Sequence, residues 1–68
     1  MTLPKIKQRI SDLRTIHRGL AHQHAEALRD DKHEEAVYIR LELTETGRTI
    51  GRLVRTVKSI ESLKNRAR

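Results

Sequence analysis

The sequence predicts an all-α protein, a helical hairpin of two long antiparallel helices assembling into a helical-bundle homo-oligomer. Three observations carry that expectation. Apolar residues recur at spacings of three and four along almost the whole chain, the period of an amphipathic helix, and no strand-like alternation interrupts them. A single convincing break, Asp30-Asp31-Lys32, divides the pattern in two. With 68 residues, no cysteine, no Phe or Trp and one Tyr, a lone hairpin has neither a large core nor a covalent staple, and small chains of that kind gain stability by associating. The chain reads as one domain, residues 1–68, with helix one over about 3–29, the turn at about 30–31 and helix two over about 32–65.

Helix one opens with Thr2 as a capping residue and Pro4 in the first turn, where a missing N–H costs nothing. Its seam runs Leu3, Ile6, Ile10, Leu13, His17, Leu20, His24 and Ala27, a heptad-like pattern that Ile16, Ala21 and Leu28 widen. Gly19 is an interior helix glycine of no evident function. At the break, Asp31 followed three residues later by Glu34 reads as a capping box, with Glu35 also close to the positive end of helix two. The second seam continues through Ala36, Ile39, Leu43, Thr46, Ile50, Leu53, Val57 and Ile60. It passes Gly47 without a change of phase, so the helix is expected to continue there and to fray near Asn65-Arg66-Ala67-Arg68. The tail with Val57, Ile60 and Leu63, and the off-seam Val37, Tyr38, Leu41 and Val54, call for cover beyond one hairpin.

The net charge of +6 is unevenly spread. Residues 1–25 carry five basic and one acidic side chain, residues 26–45 three basic and seven acidic, and residues 46–68 seven basic and one acidic. Folding at Asp30-Asp31 therefore makes the loop end acidic and brings Lys5, Lys7, Arg9 and Arg14 towards Arg48, Arg52, Arg55 and Lys58 at a basic open end. Such a balance favours nucleic acid, an anionic membrane surface or another phosphate-bearing partner, the plain alternative being a solubilising surface. No apolar run approaches membrane-spanning length and no apolar leader segment follows the N-terminal Met; with zero cysteine, the expected location is the cytoplasm, without a membrane partner.

Nothing in the sequence resembles catalytic machinery, and no enzyme activity or cofactor is expected. Ser11, Ser59 and Ser62 lack a neighbouring histidine in any hairpin register, and Glu42-x-x-Glu45 has no carboxylate-rich partner helix. His17 and His24 are seven apart, whereas metal-binding pairs on one helix are spaced by three or four. Two copies could bring them together as a metal or pH-sensing layer, but a register-fixing polar layer is the simpler expectation.

The informative stretch is Gly47-Arg48-Thr49-Ile50-Gly51-Arg52-Leu53-Val54-Arg55. Arg48, Arg52 and Arg55 recur on one face, interleaved with threonine hydroxyls, and Gly47 and Gly51 leave room beside them for a ligand or another backbone. The expected binding residues are Gly47, Arg48, Thr49, Gly51, Arg52 and Arg55, with Lys5, Lys7, Arg9, Arg14 and Lys58 as a secondary basic patch. The segment Gly47-Arg48-Thr49 followed by Leu53 and Arg55-Thr56-Val57 resembles the second helix of phage-encoded anti-CBASS sponges. That family consists of small helical-hairpin oligomers that sequester nucleotide immune signals without degrading them. The resemblance implies a phage anti-defence protein in which Arg48, Thr49, Arg52 and Arg55 line pockets between subunits. This chain is shorter than expected for that family and its glycine spacing departs from the pattern. In size and architecture the chain also resembles helical-hairpin RNA binders such as the plasmid Rop protein, which leaves duplex nucleic acid as an alternative ligand. A third alternative is a protein–protein inhibitor with no small ligand.

Overall fold

The computed structural model describes residues 2–66. Two helices, α1 (Leu3–Arg29) and α2 (His33–Arg66), form an antiparallel hairpin of 56 × 15 × 15 Å. No strand is present among the described residues. Helix α2 continues through Arg66, and of the stretch where fraying is expected, Ala67 and Arg68 lie outside the described residues.

At the start of α1, Thr2 occupies the capping position in extended conformation and its carbonyl accepts from the Ile6 N–H at 3.0 Å, but its side chain makes no capping hydrogen bond. Pro4 sits in the first turn, where only its fixed φ matters.

The turn differs from the expected capping box. Helix α2 begins at His33, one residue later, so Lys32 rather than Asp31 is the residue whose carbonyl accepts the first intrahelical bond, from Ala36 N–H at 3.0 Å. Asp31 instead serves the end of α1. It adopts a left-handed backbone, φ 57°, while its own N–H donates to the Leu28 carbonyl and that of Lys32 donates to the Ala27 carbonyl. This pair of bonds is the Schellman arrangement that satisfies the last carbonyls of a helix. A residue folded back into that geometry is drawn out of capping position for the helix that follows. Glycine is the usual occupant because it carries no Cβ to clash. Asp31→Gly is accordingly expected to raise stability by about 0.5–1 kcal/mol, the relief of left-handed strain less the entropy glycine adds to the unfolded chain. A urea titration of the two proteins measures this.

Around this turn the two seams close on each other. Ala27, Ala36 and Ile39 form one buried cluster, flanked by Leu20 and Leu43. At the open end Ile6, Ile10 and Val57 form a second, against which Leu3, Ile50, Leu53, Val54 and Ile60 pack. The cluster near the turn is built on small alanines, and that at the open end on larger branched side chains. The half-buried stretch between the clusters contains His17, His24 and Thr46.

Two parts of the expected unsatisfied surface prove to be covered within the hairpin. Val57 is buried and Ile60 is packed against its cluster, because the tight turn sets a register in which Ile6 and Ile10 reach that far along α2. Val54 is likewise half-buried against the same cluster. Leu63, Val37, Tyr38 and Leu41 are exposed, between 58% and 64% of their surface, and Ile16 and Leu28 remain about half exposed. No helix among the described residues is long and apolar enough to cross a membrane.

Candidate anion-binding site

The arginine row follows from register. Seam positions recur at alternating steps of three and four, so a residue one place after a seam residue faces one flank of the hairpin and a residue one place before faces the other. Gly47 and Gly51 follow Thr46 and Ile50, and Arg48, Arg52 and Arg55 lie further round towards solvent. Together with Thr44 these five residues line one shallow open depression on α2. All three arginines are exposed, and none has a carboxylate within ion-pairing distance among the described residues.

Thr49 is not among them. Across Ile50 from Gly51, it is turned to the other side of the helix and half-buried, its hydroxyl donating to the Glu45 carbonyl at 3.0 Å, whereas Arg52 points outward between the two sides and stays exposed beside the depression. The hydroxyl that does line the depression is Thr44, which donates to the Arg40 carbonyl at 3.0 Å and so can still accept. The alternation of Arg and Thr in the sequence suggests an interleaved site, and helical rotation keeps Thr44 beside the arginines but turns Thr49 away from them.

The glycines have no task inside the hairpin. A Cβ built on Gly51 meets nothing within 4 Å, and one on Gly47 meets only the His17 ring nitrogen at 3.8 Å, an ordinary contact. Each glycine costs about 1 kcal/mol of helix stability relative to alanine. Neither packing nor backbone conformation within one chain explains retaining both, since neither has positive φ.

The secondary basic patch is divided by the same register. Lys7, Arg14 and Lys58, joined by Arg18, border a groove between the helices whose floor is Ile10, Val54 and Val57. Lys5 and Arg9 precede their seam residues rather than follow them, and they line neither depression. Arg18 lies outside the expected patch, although its place one residue after His17 marks it for this flank. Lys7 is partly engaged, 3.2 Å from Glu61 in an exposed pair, which contributes at most about 1 kcal/mol.

The histidines do not gather. His17 and His24 stay half-buried at successive levels of the seam, His22 pairs with Glu26 at 2.9 Å, and His33 lies 3.8 Å from Asp31. Among the described residues no three His, Cys, Asp or Glu side chains converge to hold a metal. Serines 11, 59 and 62 are exposed helical residues, and Glu34, Glu35, Glu42 and Glu45 all project to solvent. The arrangement offers strong donors for an anion.

No protein-family model, curated protein or solved structure matches this chain.

Proposed function

We propose that this hairpin is a non-catalytic binding protein that sequesters a phosphate-bearing nucleotide-type ligand through Arg48, Arg52 and Arg55. The observation that carries this reading is the arginine row itself: three exposed guanidinium groups without carboxylate partners, set beside two glycines that the hairpin does not need. Guanidinium forks match phosphate oxygens bidentately, and the missing glycine side chains let a ligand approach the helix backbone. The depression is shallow in a single chain, so the reading includes a homo-oligomer whose second copy closes it and excludes water. The exposed Val37, Tyr38 and Leu41 support association. A role as a phage anti-defence sponge in the cytoplasm belongs to the same proposal and rests on the resemblance given above.

Duplex nucleic acid is the second reading, favoured by one observation. Lys7, Arg14, Arg18 and Lys58 border a separate groove, so cations cover more of the rod than a compact ligand requires. The two readings part on what accompanies the protein through purification. Mass spectrometry is expected to find short nucleotides, with a raised 260/280 absorbance ratio. Long nucleic acid instead would favour the duplex reading, and neither would favour a protein partner.

A further inference from the structure

We infer that Arg14 and Arg18 of α1 complete the anion site, so that a nucleotide carrying two separated phosphate groups lies across Gly47 and Gly51 and is held from both helices. The inference deepens the anion-binding reading above and rests on it.

Register makes the two glycines a wall shared by the two depressions. Val54 and Lys58 line the groove between the helices. Gly47 and Gly51 stand seven residues before them, two helical turns back on the same face, and so continue that side of the groove towards the loop. Both glycines also line the depression that holds Arg48, Arg52 and Arg55. Neither position carries a side chain to stand between the depressions, and a Cβ at Gly51 would meet nothing within 4 Å.

The pairing of the helices sets Arg14 and Arg18 beside this gap. The His17 ring nitrogen lies 3.8 Å from the place of a Cβ on Gly47, which fixes the level of α1 against α2. Arg18 follows His17 and lines the groove, as does Arg14. Because the helices run antiparallel, the step from Arg18 back to Arg14 on α1 matches the step from Gly47 on to Gly51 on α2. The gap is therefore bordered by arginines of α1 on one side and arginines of α2 on the other.

Charge and span name the ligand. Arg14, Arg18, Arg48, Arg52 and Arg55 are all exposed, and none has a carboxylate within ion-pairing distance among the described residues. Like charges gathered without partners repel one another, and a polyanion relieves that repulsion. Each guanidinium fork suits the oxygens of one phosphate, so forks on both sides of a gap call for a phosphate on each side. Arg14 to Arg18 and Arg48 to Arg52 each run about 6 Å along the rod, the rise of four helical residues. That span suits a compact bisphosphate, whereas one turn of duplex, about 34 Å, would run far beyond it. The bare glycine backbone gives such a ligand room to cross.

Isothermal titration calorimetry with adenosine 5′-monophosphate and adenosine 3′,5′-bisphosphate tests this. The wild type is expected to bind the bisphosphate more tightly. Arg18→Ala should weaken the bisphosphate about tenfold, the scale of one charged hydrogen bond, and the monophosphate little. Gly51→Leu keeps every cation but fills the gap. It should lower bisphosphate affinity by a similar factor while helical circular dichroism and melting are preserved, since its Cβ meets no hairpin atom. Arg9→Ala controls for charge alone, because Arg9 lines neither depression, and should change little. Equal wild-type affinity for the two ligands, equal losses on both for Arg18→Ala, equal losses from Arg18→Ala and Arg9→Ala, or an unchanged Gly51→Leu would each overturn the inference. If Arg52→Ala weakens the bisphosphate and Arg18→Ala does not, the crossing fails and the anion reading stands. Heat from neither ligand would overturn both.

Discussion

Ile10→Ala is expected to destabilise the hairpin by about 2–5 kcal/mol, the cost of removing a buried branched side chain and leaving its cavity. Ile10 is 7% exposed and, with Ile6 and Val57, forms the cluster that closes the open end. Only seven hydrophobic residues are buried among those described, so each is a large share of the core. Folded domains are stable by only about 5–15 kcal/mol, and small ones fall at the low end. The substituted chain should therefore lose most of its helical circular dichroism well below the wild-type melting temperature. Ile16→Ala is the control, because Ile16 is 50% exposed and off the seam. Equal losses for the two would mean that the seam does not organise the fold.

Arg52→Ala is expected to weaken ligand binding by about 1.5–3 kcal/mol, the scale of a hydrogen bond to a charged group, or roughly ten- to a hundredfold. Arg52 lines the depression between Arg48 and Arg55. The same substitution should leave stability within about 0.5 kcal/mol, as expected for an exposed residue without packing partners. Lys7→Ala removes a cation from the other depression, where it is already paired with Glu61. It should have little effect on a compact ligand but a comparable effect on duplex nucleic acid, whose phosphates would engage both.

The hairpin was legible because its signals are local and repeated. Every seam residue from Leu3 to Ala27, and from Ala36 to Ile60, is buried or half-buried, and Gly47 leaves α2 unbroken. What the sequence concealed depends on rotation and register. Asp31 carries the chemistry of a cap for the following helix, yet its left-handed backbone makes it the terminator of the preceding one. Thr49 is adjacent to Arg48 in sequence, but a helix turns about 100° per residue and sends it to the other flank. Lys5 and Arg9 look equivalent to Lys7 and Arg14 in a charge count and separate for the same reason. Arg18 stood outside the expected patch, though counting one place on from His17 finds it. The cover of Val57 and Ile60 needed the register that the three-residue turn imposes. Association and ligand identity are properties of surfaces meeting something else, and no local pattern specifies them fully.

The central claim is that the arginine row binds phosphate groups of a compact ligand. Isothermal titration calorimetry tests it most directly, with dialysed protein titrated against cyclic and linear nucleotides and against duplex RNA and DNA, in wild type, Arg52→Ala and Lys7→Ala. Saturable heat from a nucleotide, reduced at least tenfold in affinity by Arg52→Ala and little changed by Lys7→Ala, is the expected result. Heat from duplex alone, with equal losses in the two variants, would contradict the claim, as would silence from every ligand.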